Sequence, residues 1–221
     1  MNEAVHNLPS ERFEVEHIAP ADIERRSFEI IRAELAERDI KVDPCLENVV
    51  LRVIHTTADF DFAQNMVFSE SALSCLRERI ASGTSICTDT QMAKMGINQR
   101  VLSRFGGSVH CFMSDEDVAK EAAERGVTRA IVSMERAMQR KEPLIFVIGN
   151  APTALLHIYN RMKEGFEPAF VVGVPVGFVN VEVAKERILR SKVPHIVSRG
   201  RKGGSTVAAA IINAVLYELV E

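Results

Sequence analysis

Three cations and three glycines lie close together near the end of the chain. In order, this loop contains Arg199, Gly200, Arg201, Lys202, Gly203, Gly204 and Ser205. A β-prone run at 195–198 precedes it and an apolar helix follows, with Ser205 predicted as the helix N-cap. Glycines let a backbone approach a ligand closely, and a helix N-terminus attracts negative charge. The loop is therefore a candidate anion site, and the alternative is a tight turn with solvated cations.

The two common phosphate-binding patterns are absent from this loop. Neither the GxxxxGK[ST] spacing nor the GxGxxG spacing occurs. A nucleotide- or phosphate-binding α/β enzyme therefore stays open only as an alternative function, and the chemical class of the anion is undetermined at this point.

A second pair of chemically useful residues is Arg52 with His55, which lie three positions apart. The predicted helix begins at Asp43-Pro44 and has its apolar positions on the side opposite to this pair. A histidine side chain with a pKa of ~6.5 can donate and accept a proton, and an adjacent arginine can hold an anion. The alternative is an ordinary solvated helix face.

The elements that must position these residues follow an alternating order. Continuous apolar runs predict strands at 84–88, 109–113, 144–149, 169–173 and 195–198, and amphipathic helices separate most of them. This order predicts an α/β fold: a three-layer sandwich around a mostly parallel β-sheet, with helices on both faces. Extra N-terminal helices precede it. In the first, from Pro20 to about Arg38, Ser27 flanks the apolar stripe, where a serine often bonds back to its own helix.

Ligands of such sheets bind at the carboxyl ends of the strands. Four segments fall there: Asp89, the run from Asn150 to Thr153, the run 173–177 with Gly177, and the loop 199–205. Asp89 could instead cap the next helix, and Gly177 could only shape a turn. The agreement of four strand ends is a stronger indication of a site than any one of these segments.

Composition limits the classes of function. With 221 residues, the chain is long enough for one full domain, predicted at 19–221 after an N-terminal lead-in at 1–18 that is flexible or ordered late. A net charge of -3 and the absence of Trp argue against a nucleic-acid partner. Neither a signal peptide nor a membrane-spanning run is recognised. The four cysteines lack CxxC or zinc spacing, which predicts reduced thiols, no metal site and a cytoplasmic protein.

Several runs resemble the precorrin-8X methylmutase (precorrin isomerase) family. They are GNAPTAL at 149–155, GVPVGFVNVEVAK at 173–185 and GRKGGS at 200–205, together with ERRSFEIIRAE at 24–34, RVIHT at 52–56 and TDTQMAKMGI at 88–97. The runs occur in the family's order and cover nearly the whole chain from about residue 20. One departure is TDTQM, where the family has a pattern closer to CDxxM, so the role of Thr88 is open.

The resemblance implies an isomerase of cobalamin (vitamin B12) biosynthesis. Such an enzyme moves a methyl group from C11 to C12 of precorrin-8 or cobalt-precorrin-8, giving hydrogenobyrinate or cobalt-cobyrinate, and needs no cofactor. It also implies a homodimer. A non-catalytic corrinoid or tetrapyrrole carrier is the alternative.

The resemblance also assigns residues to the site of a corrinoid polycarboxylate. His55 is the expected proton donor and acceptor. The residues expected to bind the substrate are Ser27, Arg52, Asp89, Asn150, Thr153, Gly177, Lys185, Arg199, Arg201, Lys202, Gly203, Gly204 and Ser205. Lys185, on the helix after GVPVGF, could instead be an ordinary surface lysine.

Overall fold

A six-stranded β-sheet lies at the centre of the computed structural model, which describes residues 15–140 and 142–220. The strands are β1 (Met66–Phe68), β2 (Ser85–Thr88), β3 (Val109–His110), β4 (Leu144–Ile148), β5 (Phe170–Gly173) and β6 (His195–Ser198). Their order in the sheet is β1-β6-β5-β4-β2-β3. Only β1 runs antiparallel to its neighbour in this sheet, which is β6.

The helices of the described residues follow the predicted alternation with the strands. They are α1 (Ile23–Glu37), α2 (Glu47–Thr57), α3 (Phe62–Asn65), α4 (Ala72–Ala81), α5 (Gln91–Gly96), α6 (Gln99–Leu102), α7 (Glu116–Arg125), α8 (Arg129–Met138), α9 (Pro152–Lys163), α10 (Val181–Leu189) and α11 (Ser205–Glu218). Short 3-10 turns at Pro20–Asp22 and Ser103–Phe105 precede α1 and follow α6.

The sheet separates two apolar clusters, because successive side chains of a strand point to opposite faces. In β4, Ile145 and Val147 pack with α1, α2, α4 and α11 on one face. Leu144, Phe146 and Ile148 pack with α8, α9 and α10 on the other. The predicted three-layer α/β sandwich with a mostly parallel sheet is confirmed, and α1 and α2 are the extra N-terminal helices.

Helix α11 is the central helix of the first layer. Ten of its residues, from Ser205 to Leu216, are buried, and it packs against α2, α4 and α5. A helix that is apolar on most of its circumference lies inside a core rather than at the surface. The N-terminus of α11 is therefore held rigidly at the edge where β6 ends.

Two local predictions differ from the structure, and one strand was not predicted. Asp43 does not cap α2: its carboxylate accepts the N–H of Cys45 at 2.8 Å in a turn, and α2 begins at Glu47. β3 stops at His110 instead of continuing to 113. The edge strand β1 was not predicted, because only its pairing with β6 distinguishes its three residues from a loop.

The predicted lead-in at 1–18 lies largely outside the described residues. Within the described ranges, no helix has both the length and the apolar character that crossing a membrane requires.

Candidate active site

Asp89 connects the end of β2 to the turn that follows β4. Its carboxylate accepts the N–H groups of Gly149 and Asn150 at 2.8 Å each and that of Ala151 at 2.6 Å. The residue is fully buried, and burial raises the pKa of its carboxyl group against the lowering effect of the three N–H groups. The alternative that Asp89 caps the next helix is wrong, because Thr90 caps α5.

The loops after β5 and β6 pack directly against each other. The N–H of Gly204 donates to the carbonyl of Val174 at 2.9 Å. A Cβ atom on Gly203 would lie 2.1 Å from the same carbonyl oxygen, and a Cβ on Gly149 would lie 2.7 Å from the Cα of Ser205. Gly203 and Gly149 are therefore required by close backbone contact. These contacts bring the ends of β4, β5 and β6 to one edge, as predicted.

The start of α11 differs from the prediction in its capping residue. Gly204, with a φ of 137°, occupies the N-cap position, and Ser205 is the first helical residue. The Ser205 hydroxyl lies 2.7 Å from that of Thr90, so it joins α11 to the loop after β2. Ser205 as the N-cap is therefore a correction: its side chain does not cap the helix.

The three cations of the loop 199–205 are exposed, and each lies near a carboxylate. Arg199 lies 3.8 Å from Glu186, Arg201 lies 2.9 Å from Glu182, and Lys202 lies 2.7 Å from Asp59 and 2.6 Å from Asp61. Ala58 ends α2 in the left-handed conformation, and both aspartates lie in the segment that follows it. The Lys202 contacts therefore place the loop beside the end of α2.

Lys185 of α10 lies beneath the same loop and is only 1% exposed. Its amino group donates to the carbonyls of Gly200 and Lys202 at 2.8 Å each. Burial lowers the pKa of Lys185 to about 8. The alternative of an ordinary surface lysine is therefore wrong.

Arg52 is largely buried and is paired with a half-exposed glutamate. Its guanidinium group donates to both carboxylate oxygens of Glu24, at 2.9 and 2.7 Å, and this contact lowers the pKa of Glu24. The guanidinium carbon lies 5.4 Å from the ring centre of Phe28 and 4.9 Å from that of Tyr217. With 12% of its side chain exposed, Arg52 joins α2 to α1 and α11.

His55 is exposed on the last turn of α2. Its imidazole meets the Phe28 ring edge-on, with 5.7 Å between the ring centres. An open, mainly apolar cavity of about 230 Å³ lies beside it, lined among others by Ser27, Ile30 and Phe60. The Ser27 hydroxyl donates to the carbonyl of Ile23 at 2.8 Å, so this serine bonds back to its own helix. Ser27, Arg52 and His55 therefore form one cluster between α1 and α2.

Three further predicted residues, Asn150, Gly177 and Thr153, follow the ends of β4 and β5 but lie apart from one another. Asn150 is exposed and uses its N–H for Asp89, and the N–H of Gly177 donates to the carbonyl of Arg201 at 3.2 Å. The Thr153 hydroxyl lies 3.0 Å from that of Thr128, which precedes α8. Thr153 is thus on the sheet face opposite to α1 and α2.

Sequence reasoning missed the partners of the predicted residues. Glu24, Phe28 and Tyr217 surround Arg52, and Asp59 and Asp61 hold Lys202. Glu24 and Phe28 both lie in the run ERRSFEIIRAE at 24–34, which was the one available signal. Tyr217 and the two aspartates are too far from their partners in sequence for a spacing rule to find them.

Comparisons with known proteins identify the family of this chain. The model of the precorrin-8X methylmutase family matches residues 22–218. The cobalt-precorrin-8 methylmutase of Salmonella typhimurium is 43% identical over 206 residues, covering 91% of this chain and 97% of that protein. That of Priestia megaterium is 41% identical over 199 residues, covering 90% and 88%. The crystal structure of precorrin-8X methyl mutase from Thermus thermophilus matches with a TM-score of 0.81 at 34% identity, covering 90% of this chain and 98% of that one. The chain belongs to the precorrin-8X methylmutase family, whose members are isomerases of cobalamin biosynthesis.

Proposed function

We propose that this protein moves the methyl group from C11 to C12 of precorrin-8 or cobalt-precorrin-8, with His55 as the proton donor and acceptor. The observation that carries the proposal is the exposed His55 imidazole at the open apolar cavity between α1 and α2. An isomerisation of this kind requires no redox partner, so one well-placed acid and a surface that holds the ring are sufficient.

The proton transfer acts on the conjugated ring. Protonation of a ring nitrogen polarises the double bonds and eases the 1,5-sigmatropic shift, after which the proton returns to His55. General acid catalysis of this type contributes ~10²–10⁴-fold to a rate. The edge-on contact with Phe28 supports this role, because it restricts the orientation of the imidazole.

The cations of the loop 199–205 suit a flat polycarboxylate. Arg199, Arg201 and Lys202 are exposed at the sheet edge, and Lys202 reaches the segment directly after α2. One large ring can therefore contact His55 and place its side-chain carboxylates near this loop. In this arrangement the carboxylates of the substrate compete with the protein's own acids for the three cations.

Arg52 binds a substrate carboxylate by exchange. Its guanidinium already holds Glu24 in the two-pronged geometry that arginine offers to carboxylates. A carboxylate of the substrate replaces Glu24 as acceptor of one or both Arg52 hydrogen bonds. Glu24 then moves toward solvent, where half of its side chain already lies.

The cobalt-containing substrate is the preferred one in this proposal. It is supported by the names of the Salmonella and Priestia relatives, which are both cobalt-precorrin-8 methylmutases.

A homodimer in the cytoplasm completes the proposal. The cavity beside His55, at about 230 Å³, can hold only one edge of a corrinoid ring. Exposed apolar side chains near the strand ends, including Met95 (73%) and Phe178 (81%), offer a surface for a second chain. A partner chain would then cover the rest of the ring.

An absorbance time course tests the proposal. Wild type, His55→Ala and the control His110→Asn, which changes a histidine on the edge strand β3, are mixed separately with precorrin-8 and cobalt-precorrin-8. We expect wild type and the control to form the rearranged corrinoid, faster from the cobalt form, and His55→Ala to bind without converting. Conversion by His55→Ala would remove His55 as the acid.

Two other outcomes would identify the alternative functions. Binding without conversion by wild type would indicate a corrinoid carrier. Absence of binding, together with a thermal shift by a nucleotide, would indicate the phosphate-binding enzyme.

A further inference from the structure

Lys185 is a buried ammonium group that the proposed chemistry does not use. Helix α10 buries the face formed by Val181, Ala184, Lys185 and Ile188, which follows the helical period. Lys185 is therefore on the core side of an amphipathic helix, a position that normally carries an apolar residue. A buried charge is tolerated only when hydrogen bonds satisfy it.

The hydrogen-bond partners of the Lys185 amino group both belong to the loop 199–205. Its amino group donates to the carbonyls of Gly200 and Lys202, and the Ser198 hydroxyl also donates to the carbonyl of Lys202 at 2.9 Å. The intervening carbonyl, of Arg201, accepts the N–H of Gly177 at 3.2 Å. Three successive carbonyl groups of the loop thus accept hydrogen bonds from other parts of the protein.

The opposite side of this loop carries its cations. The side chains of Arg199 and Arg201 are each 59% exposed and that of Lys202 is 46% exposed. The hydrogen-bonded carbonyls and the exposed cations belong to one backbone conformation. Lys185 stabilises that conformation and adds a positive charge beneath it, where the low dielectric of the interior strengthens its effect on an anion above.

We propose that Lys185 is a positioning residue that holds the loop 199–204 in its anion-binding conformation and does not itself touch the substrate. Where it concerns catalysis, this inference rests on the proposed function. The inference rests on the low exposure of Lys185 and on its two contacts with carbonyl groups. A residue that binds a carboxylate directly would instead need a free amino group at the surface.

The first test uses hydrogen exchange, which does not depend on the proposed function. Lys185→Met removes the charge and both hydrogen bonds, and Lys185→Gln keeps a neutral donor. Lys192→Met changes an exposed lysine. The amides of Arg199 and Gly204 are suitable reporters, because they donate to Asn65 and Val174. In Lys185→Met we expect their protection to fall by about tenfold or more, the factor that loss of one charged hydrogen bond gives. Unchanged protection would overturn the proposal.

The second test separates a positioning role from a merely structural one. Lys185→Met should raise KM by about tenfold or more and leave kcat within about threefold, because His55 lies on another element. Lys185→Gln should lie between this variant and wild type, and Lys192→Met should match wild type. A fall in kcat at unchanged KM, or stability loss with unchanged KM, would overturn the proposal.

Chemical labelling of the wild type provides a test that needs no variant. An amine-reactive acyl ester should leave Lys185 unlabelled both in the free protein and with hydrogenobyrinate added. A direct ligand would instead be labelled in the free protein and protected by the corrinoid, and that result would overturn the proposal. If no corrinoid binds, the exchange and labelling results on the free protein still decide the position of Lys185.

Discussion

Replacement of Asp89 by Asn should destabilise the protein. The two side chains have nearly the same shape, but the amide has one acceptor oxygen where the carboxylate has two. One oxygen of Asp89 holds Asn150 and Ala151, and the other holds Gly149. In Asp89→Asn, the amide NH₂ group must face at least one of these N–H donors.

The magnitude follows from these contacts. A hydrogen bond to a charged group contributes ~1.5–3 kcal/mol, and a buried donor without a partner costs ~1–3 kcal/mol. Part of this loss is offset, because burial of the ionised carboxylate is itself unfavourable and raises its pKa. We therefore expect a net loss of ~2–3 kcal/mol in the free energy of unfolding, equivalent to ~4–12 °C in Tm for a protein of this size.

Urea unfolding followed by circular dichroism measures this difference. The matched control is Asp115→Asn: Asp115 also lies between a strand and a helix, but its side chain does not cap α7. The control should stay within ~0.5 kcal/mol of wild type. A stability of Asp89→Asn equal to that of the control would refute the reasoning, and a raised KM at unchanged stability would favour direct contact between Asp89 and the substrate.

Three further predictions concern other parts of the site. Gly203→Ala should cost ~1–3 kcal/mol and raise KM, because the new methyl group would lie 2.1 Å from the Val174 carbonyl oxygen; native Tm and KM would contradict this. Glu24→Gln should lower KM by about threefold or more, because Arg52 loses a competing charged partner, and an unchanged KM would mean that Glu24 and the substrate do not compete. Burial lowers the pKa of His195, so below pH ~6.5 the unfolded chain binds a proton that the native state does not. The free energy of unfolding should therefore decrease as the pH is lowered below ~6.5. Urea unfolding at a series of pH values should show a smaller decrease for His195→Asn than for wild type, and an equal decrease would contradict this.

The architecture was predictable from local patterns. Strand β4 is a continuous apolar run, and the amphipathic helices around it have a clear 3.6-residue period, so the layers of the fold could be inferred without the structure. The same order predicted that the ends of β4, β5 and β6 meet at one edge, because parallel strands end on the same side of a sheet. Element boundaries were less predictable, as the late start of α2 at Glu47 shows.

The sequence by itself determined the strand–helix alternation, the family resemblance and the residues with suitable chemistry, because each is written in types and spacings of neighbouring residues. Only the tertiary structure decided which of those residues are buried and which groups they bond to. Asp89 meets Gly149 across 60 positions, and Lys202 meets Asp61 across 141. Burial and hydrogen bonding of a polar group depend on such long-range contacts. Lys185 and Asp89 therefore lie inside the protein although their sequence context is equally compatible with the surface.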